Sequence, residues 1–257
     1  MVLADVSAMG LAQLGAMSTL AYVLYKVVSV ALGDTDLRTQ WLRKPPRNAF
    51  EGRVVWITGA SQGLGELLAH SMFAQGAKLI LSARREDQLN RVAKALGDPS
   101  RVKILPLDLT GSSREMGAAV TQAGFMFGGR GIDILMHVAG SSQRGRVEDT
   151  SITVDDAIMK LNAYAPIALT KAILPSMLEK GKGQIVLISS MAAKIWSPGQ
   201  ATYAAAKAAA SSYHHTLHCE VCDRGVDVSV IYGGPIASGS ADNPRTVYGP
   251  EGPEPLP

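Results

Sequence analysis

The segment RVVWITGASQGLG, residues 53–65, joins a short apolar run to a turn with three glycines. Apolar residues at helical spacing follow directly, as far as Gln75. A strand that ends in such a turn and opens into a helix is where a doubly wound parallel sheet binds a dinucleotide. In this interpretation Gly59 permits a tight turn, Gly63 lets a cofactor approach the backbone, and Gly65 lets the helix pack close to the strand.

The helix that starts at this turn also favours a bound anion. Its first N–H groups and the positive end of its dipole suit the pyrophosphate of a dinucleotide. The whole turn would then lie against the cofactor, including Ser61, Gln62 and Leu64. Because any tight turn from a strand to a helix favours glycine, the prediction depends on the flanking strand and helix.

The rest of the chain alternates short apolar strands with longer helices. Strands are predicted at residues 53–58, 77–82, 102–107, 132–138, 184–189 and 226–232, and helices at residues 63–75, 86–96, 113–127, 154–178 and 203–222. Continuous apolar strands separated by helices indicate a parallel sheet covered on both faces. The predicted fold is α/β, a doubly wound, Rossmann-like parallel sheet of about six strands within residues 52–240. Residues 241–257 are rich in proline and glycine, which predicts a disordered tail.

The composition excludes several other classes of protein. The 257 residues are 47% hydrophobic and 18% charged, which rules out a disordered chain. A net charge of +3 at pH 7, without clusters of basic and aromatic residues, predicts no nucleic-acid partner. The two cysteines, Cys219 and Cys222, cannot support a disulfide-rich scaffold and are expected to be free thiols.

The first fifty residues have a different character. Val6–Tyr25 contains no charged residue and is long enough to cross a bilayer as a helix. We therefore expect a membrane-anchor helix within residues 1–33 and a linker at residues 34–51. Four basic residues lie in this linker, which predicts a body that faces the cytosol. The alternative is a helix that lies on the protein or on a membrane surface.

Two arginines, Arg84 and Arg85, stand at the end of the second predicted strand, where NAD-binding sheets carry an acidic residue. A guanidinium can pair with a 2′-phosphate through two hydrogen bonds, so these residues favour NADP(H) over NAD(H) as the cofactor. The alternative is a pair of solvated arginines at a helix start. At the end of the third strand, Asp108 would hydrogen-bond the adenine edge or cap the turn that follows.

Three residues further along the chain suggest proton-transfer chemistry. Tyr203 and Lys207 are four residues apart, so a helix places them on one face. A lysine charge near a phenol favours the phenolate, and the tyrosine could donate a proton to a carbonyl or take one from an alcohol. Ser190 lies thirteen residues before Tyr203, just after a predicted strand. Its hydroxyl could hydrogen-bond the same substrate oxygen. A tyrosine and a lysine at this spacing are common on helix surfaces, so the pair gains meaning only with the glycine turn.

Together these motifs resemble the short-chain dehydrogenase/reductase family over residues 52–238. The matching features, in family order, are TGASQGLG, Asp108, Asn162, Ser190, YAAAK at residues 203–207, and GGP at residues 233–235. The chain looks most like the membrane-anchored dehydrogenase/reductase member 7 branch, whose relatives include hydroxysteroid and retinoid reductases. The resemblance implies reversible conversion of an alcohol and a carbonyl with NADP(H) and no metal, on a lipid-like, retinoid or steroid substrate.

The resemblance also implies roles for particular residues. Ser190, Tyr203 and Lys207 would be catalytic, and the lysine would also bind the nicotinamide ribose. Asn162 would help to hold a water through which a proton is relayed. Further cofactor contacts would come from Ala139, Gly140 and Pro235. The resemblance finally implies a homodimer and a location in the membrane of the endoplasmic reticulum, with the catalytic body facing the cytosol.

The chain departs from the family pattern in three places. The Asn-Asn-Ala-Gly motif of the family reads His137-Val138-Ala139-Gly140 here, and the Pro-Gly turn after the sixth strand reads Gly233-Gly234. The family then continues with a substrate-covering segment and a seventh strand, which this sequence lacks room to form. Two hypotheses follow: a working NADP-dependent oxidoreductase with a reduced pocket, or a C-terminally truncated, catalytically impaired form that binds the cofactor.

A metal site is a hypothesis of a different class. His214, His218 and Cys222 lie at four-residue intervals on the last long helix and could face one side as ligands. Three ligands on one helix without a distant fourth make a poor zinc site, so no metal is expected. The alternative is a helix face that contacts a second subunit.

Overall fold

The computed structural model describes residues 17–25, 27–28, 48–236 and 246–255. The chain divides into two compact units between Arg47 and Asn48. In the first unit, residues 17–25 and 27–28 are helical. No described helix combines the length and the apolar character needed to cross a membrane. Most of the predicted anchor, residues 1–33, and of the predicted linker, residues 34–51, lies outside the described residues.

The second unit consists of strands and helices in alternation. The described strands are β1 (Val54–Thr58), β2 (Lys78–Ser82), β3 (Val102–Ile104), β4 (Ile134–His137), β5 (Ser142–Gln143), β6 (Gly183–Ser190), β7 (Val226–Gly233), β8 (Thr246–Tyr248) and β9 (Pro253–Pro255). The described α-helices are α1 (Gly63–Ala74), α2 (Glu86–Leu96), α3 (Ser113–Phe125), α4 (Ile152–Met159), α5 (Ala165–Glu179) and α6 (Ala201–Val221). A π turn (Lys160–Tyr164) and two short 3-10 helices (Met191–Ala193 and Cys222–Arg224) complete the unit.

Six strands form one parallel sheet in the order β3-β2-β1-β4-β6-β7. The strand order reverses at β1, which pairs with β2 on one side and with β4 on the other. This is the doubly wound, Rossmann-like sheet predicted from the sequence, and the prediction is confirmed. Within the described residues, β7 forms one edge of this sheet.

The central strand β1 faces two apolar cores. Val54 and Trp56 belong to a core shared with α3, α5 and α6, whereas Val55 and Ile57 belong to a core shared with α1 and α2. All four side chains are fully buried. The indole N–H of Trp56 donates to Ser82 Oγ at 2.8 Å, so its polar atom is satisfied inside the core. Burial on both faces explains why this strand is an unbroken apolar run instead of an alternating one.

One predicted helix, residues 154–178, is divided by the π turn. Pro166 has no N–H, so it cannot make the α-helical hydrogen bond to the carbonyl of Asn162. The N–H of Ala165 bonds to the carbonyl five residues back, which is the π pattern. The helix therefore widens at Lys160–Tyr164, and the side chain of Asn162 lies buried within the turn.

A second sheet contains the C-terminal residues, in the order β5-β8-β9. Gln143 in β5 pairs with Tyr248 in β8, and Val247 is buried. The prediction of a disordered tail at residues 241–257 is therefore wrong for residues 246–255, and the other tail residues lie outside the described part of the chain. The prolines of β9 are compatible with a strand because β9 is at the edge of the sheet.

Candidate active site

The glycine turn lies at the carboxyl end of β1. Gly59 has a φ of +70°, and a Cβ atom at this position would be 2.7 Å from Ala139 Cα. A Cβ at Gly65 would meet the carbonyl group of Gly59, so α1 packs directly on the turn only because this residue is glycine. Gln62 at the N-cap makes no side-chain hydrogen bond to α1, which lets the first turn offer its N–H groups to a ligand.

The position of this turn in the sheet suits a ligand. It lies where the strand order reverses, and ligands of open α/β sheets bind in the crevice at such a point. Ser61 is buried, and Gly63 and Leu64 are half-buried. The predicted cofactor-binding turn is therefore placed at the carboxyl edge of the sheet.

The segment after β4 is tied to the glycine turn. The Oγ1 atom of Thr58 accepts hydrogen bonds from the N–H groups of Val138 at 3.1 Å and Ala139 at 3.3 Å. A single threonine thus joins the ends of β1 and β4. This contact holds the segment that follows His137, where the sequence departs from the asparagine pattern of the family.

The two arginines lie on the surface at the end of β2, beside the turn. Arg85 donates from Nη2 to Gln62 Oε1 at 2.5 Å, so its guanidinium lies at the start of α1. Asp108 Oδ1 accepts from the Thr110 N–H at 2.9 Å and hydroxyl at 2.8 Å. Burial acts to raise the pKa of Asp108, but these bonds and the nearby Arg84 charge outweigh it and hold the pKa below its usual value. Asp108 therefore closes the turn that follows β3, which is the second of its two predicted roles.

The predicted serine, tyrosine and lysine lie on β6 and α6. Tyr203 and Lys207 are one turn apart, and Lys207 Nζ is 5.9 Å from the centroid of the tyrosine ring. Lys207 Nζ also donates to the carbonyl of Ile188 in β6 at 3.0 Å. Ser190 ends the same strand, and its Oγ accepts from the Ala192 N–H at 3.1 Å. The lysine thus anchors α6 to the strand that carries the serine.

Lys207 is a buried cation. Its side chain is 5% exposed, and burial lowers its pKa from 10.5 to about 8. The amine is still mostly protonated at pH 7, but it releases its proton much more readily than an ordinary lysine. A group of this kind can both carry charge near the tyrosine and take part in proton transfer.

Asn162 contributes an unsatisfied acceptor to the same region. Its Nδ2 donates to the carbonyls of Ser141 and Ile158, both at 3.0 Å. Its Oδ1 is the buried side-chain polar atom that lacks a hydrogen-bond partner in the described residues. A Cβ atom on Gly140 would lie 2.7 Å from this Oδ1 and 3.3 Å from Lys207 Nζ. Only glycine at position 140 leaves room for both groups, and Asn162 Oδ1 would need a bound water or a ligand hydroxyl to complete its hydrogen bonding.

The segment after β4 connects the glycine turn to Lys207. Ala139 touches the glycine turn at Gly59, and its neighbour Gly140 borders the amine of Lys207. The predicted cofactor turn and the predicted lysine are thus linked through two consecutive residues, Ala139 and Gly140. Pro235, the last of the predicted cofactor residues, is exposed just after β7 and outside this set of contacts.

A buried hydrogen-bond chain beside the site was not predicted. His214 Nδ1 lies 2.8 Å from the Ala210 carbonyl, so this nitrogen carries the proton. The Thr170 hydroxyl then donates to His214 Nε2 at 3.2 Å and accepts from His137 Nε2 at 2.8 Å. The chain joins β4 to α5 and α6, and its signal in the sequence was His137 at a position where the family has asparagine.

The same chain argues against the metal hypothesis. Both ring nitrogens of His214 are used in hydrogen bonds, and the residue is fully buried. His218, Cys219 and Cys222 are exposed instead, and the cysteines are free. The described residues contain no group of three or more potential metal ligands.

We expect the two buried histidines to make the fold sensitive to acid. Burial lowers the pKa of His137 well below 6.5, with further effects of His214 and Lys207, and burial also lowers the pKa of His214. Below pH 6.5 the unfolded chain therefore binds more protons than the folded chain, and each histidine lowers the free energy of unfolding by up to about 1.4 kcal/mol per pH unit. Urea unfolding of the wild type and of His137→Asn between pH 7 and pH 5 measures this slope. The slope should become shallower in His137→Asn and stay unchanged in the exposed control His218→Asn, and equal slopes in all three proteins would contradict the assignment.

Comparison with known proteins identifies the family. A model of the short chain dehydrogenase family matches residues 53–247. Dehydrogenase/reductase SDR family protein 7-like from Anopheles gambiae is 40% identical over 228 residues, which cover 86% of this chain and 71% of that protein. Dehydrogenase/reductase SDR family member 7 from Homo sapiens is 35% identical over 233 residues, 87% of this chain and 68% of that protein. Member 7B from Danio rerio is 37% identical over 211 residues, 80% of this chain and 68% of that protein.

A solved structure gives the same result for the fold. The crystal structure of a short-chain dehydrogenase from Streptomyces avermitilis superposes with a TM-score of 0.70 and 28% sequence identity, covering 80% of this chain and 73% of that chain. The chain therefore belongs to the short-chain dehydrogenase/reductase family, a family of oxidoreductases whose fold implies a nicotinamide cofactor.

Proposed function

We propose that the protein is an NADP(H)-dependent oxidoreductase that interconverts an alcohol and a carbonyl group, with Ser190, Tyr203 and Lys207 as its catalytic residues. The observation that supports this most strongly is the meeting of Lys207 and Asn162 at Gly140. The buried amine of Lys207 and the unpaired Oδ1 of Asn162 both lie beside this glycine, which follows Ala139 at the glycine turn.

The residues around the turn fit a dinucleotide phosphate. The backbone atoms around Gly59 and Gly65 leave no room for a side chain at either position. The start of α1 supplies N–H groups for the pyrophosphate. Arg84 and Arg85 are exposed at the end of β2, with no acidic residue at this strand end to bind a ribose 2′-hydroxyl. Guanidinium groups at this position favour a 2′-phosphate, and therefore NADP(H) over NAD(H). Asp108 closes the turn after β3 through Oδ1, and its Oδ2 would face the adenine.

The chain's own residues would control the proton. A bound nicotinamide supplies the hydride in the reductive direction and accepts it in the oxidative direction. Tyr203 donates its phenolic proton to the carbonyl oxygen as the alcohol forms, and Ser190 donates a hydrogen bond to the same oxygen. The ammonium of Lys207 stabilises the phenolate that remains. A water held by Asn162 Oδ1 next to Lys207 returns a proton to the site.

Apolar residues in the neighbouring loops favour a lipid-like substrate. The segments that follow β5 and β6 expose Val147, Ile152 at the start of α4, and Trp196, the last of these at 87%. Ile195 beside Trp196 is also exposed, so the loop after Ser190 presents two large apolar side chains. Exposed apolar groups near a cleft suit a retinoid or steroid better than a charged metabolite. Membrane attachment through residues 1–33, a location in the endoplasmic reticulum and pairing of two copies stay predictions from the sequence.

The test of this function compares cofactors and substrates. Purified protein is incubated with NADPH or NADH and a panel of retinals, steroids and simple ketones, and oxidation of the cofactor is followed by absorbance. We expect turnover with NADPH on at least one apolar carbonyl. Replacing both Arg84→Ala and Arg85→Ala should weaken NADPH binding by at least about 100-fold and leave NADH binding almost unchanged, because each lost charged hydrogen bond is worth about 1.5–3 kcal/mol.

The exposed arginine of α3 provides the matched control. Arg114→Ala removes one arginine charge away from the turn and should leave NADPH binding unchanged. Binding of NADPH without oxidation by any member of the panel would contradict the proposed catalysis and support the cofactor-binding hypothesis. If the double arginine variant lost NADPH and NADH binding equally, Arg84 and Arg85 would not be the residues that bind the 2′-phosphate.

A further inference from the structure

The helix that carries Tyr203 is not capped by the side chain at its own N-cap position. Gln200 occupies the N-cap position and makes no side-chain hydrogen bond to the first turn of α6. It donates from Nε2 to Ser142 Oγ at 3.2 Å instead. The first N–H groups of a helix have no partner within the helix, so α6 needs an acceptor from elsewhere in the fold.

Gln143 supplies this acceptor from a distant segment. Its Oε1 accepts from the N–H of Thr202 at 3.1 Å and from the N–H of Tyr203 at 3.2 Å. The side chain of Gln143 is 1% exposed, so water does not compete for these bonds. The residue thus caps the helix across about sixty positions of sequence and bonds directly to the backbone of the tyrosine.

Asp155 fixes which way the amide of Gln143 points. Gln143 Nε2 donates to Asp155 Oδ1 at 3.3 Å, and the hydroxyl of Thr202 donates to the same oxygen. A carboxylate only accepts hydrogen bonds, so the NH₂ end of the amide faces Asp155. The oxygen end is then directed at the helix, which is the orientation that a cap requires.

The C-terminal strand holds Gln143 in place. Gln143 pairs with Tyr248 in β8, and the N–H of Arg144 donates to the carbonyl of Tyr248 at 2.7 Å. The side chain of Tyr248 packs with Tyr203 against the buried residues Val154 and Ile158. The C-terminal residues therefore share an apolar cluster with the tyrosine and support the residue that caps its helix.

We propose that Gln143 is a positioning residue for Tyr203, held in register by strand β8. The inference rests on the proposed function, in which Tyr203 is the proton donor. Without the cap, the first turn of α6 frays and the phenol loses its alignment with the substrate oxygen. Displacement of a reacting group by about 1 Å can lower a rate about 100-fold.

Three variants test the proposal. Gln143→Met has a similar volume but cannot accept the two N–H bonds. Gln143→Glu combined with Asp155→Asn exchanges the acid and the amide, so acceptors for Thr202 and Tyr203 and a donor between the two side chains are all retained. Gln200→Ala is the matched control, because Gln200 occupies the N-cap position without bonding to the helix.

The readouts are amide hydrogen exchange of the peptide covering residues 200–207 and steady-state kinetics with NADPH and the best carbonyl of the panel. In Gln143→Met we expect exchange about tenfold faster in this peptide and kcat about 10- to 100-fold lower. The dissociation constant of NADPH and the KM of the substrate should change less than about threefold, because the glycine turn is untouched. The double variant Gln143→Glu/Asp155→Asn should return the amide exchange rate and kcat to near the wild-type values. Gln200→Ala should have the wild-type exchange rate and kcat.

The exchange measurement needs no substrate, so it separates this inference from the proposed function. If the wild type has no turnover but the peptide still exchanges faster in Gln143→Met, the proposed function is overturned and the capping role is kept. Unchanged exchange, or unchanged kcat in an active enzyme, would overturn the inference. A third outcome is that Gln143→Met loses NADPH binding and exchange protection across the whole domain, without recovery in the double variant Gln143→Glu/Asp155→Asn. That result would show a general folding role for Gln143 and would also overturn the inference.

Discussion

Replacing Tyr203 with phenylalanine should remove turnover and leave the folded protein otherwise intact. The change deletes one hydroxyl and keeps the ring that packs against the buried cluster of Val154 and Ile158. General acid–base catalysis contributes about 10²- to 10⁴-fold, so kcat should fall by at least about 100-fold. The dissociation constant of NADPH should stay within about twofold of the wild type. Stopped assays for the alcohol product, run beside a fluorescence titration with NADPH, measure the two effects separately.

Tyr213 offers a matched control on the same helix. It is half-buried against His214, about three turns after Tyr203. Tyr213→Phe removes the same atom and should not alter kcat. If Tyr203→Phe kept wild-type turnover, another group would have to supply the proton, and the catalytic assignment would be wrong.

Replacing Lys207 with methionine should abolish turnover and make the unliganded protein more stable. A pKa of about 8 instead of 10.5 means that folding with this ammonium buried costs about 3 kcal/mol at pH 7. Methionine has a similar length and needs no hydration, although its presence leaves the Ile188 carbonyl without a partner. We expect a net rise of about 1–2 kcal/mol in the free energy of unfolding at pH 7. Unlike Tyr203→Phe, this variant should also bind NADPH more weakly.

The pH dependence of this gain provides its own check. The folded lysine has the lower pKa, so between pH 8 and 10.5 the unfolded chain binds more protons and the wild type becomes more stable as pH rises. The advantage of Lys207→Met should therefore be full below pH 8 and shrink towards pH 10. Urea unfolding at pH 7 and pH 10 measures it, with the exposed Lys171→Met as control. A variant that is less stable than the wild type at pH 7 would contradict the buried charge.

The sheet was predictable because its signals are local. Each of the six strands of the main sheet is close to a predicted one, and α2 begins and ends at the predicted residues Glu86 and Leu96. Burial on both faces makes these strands apolar throughout, and helices of ten or more residues separate them. By contrast, β5 and β8 are two and three residues long, and a pairing between such short segments leaves no periodic signal.

The candidate site was predictable where residue type and spacing carry the chemistry. The glycines at 59 and 65 form the tight turn that the sequence predicts, and Tyr203 and Lys207 lie one turn apart on one helix, also as predicted. The residues that hold them there were not foreseen. Gln143 caps a helix sixty positions away, and Thr170 bridges two histidines from different elements, so neither has a local pattern. Contacts of this kind are set by packing and become visible only in three dimensions.

The π turn makes the number of residues between α4 and α5 critical. The turn holds one residue more than an α-helical turn, and this extra residue places the side chain of Asn162 inside the fold. Loss of one residue from Lys160–Tyr164 would leave α4 and α5 in nearly the same relative rotation but would move Asn162 away from the carbonyl of Ser141. Alignments of active relatives should therefore show no single-residue gap across this turn, even where the identities of the residues in it vary.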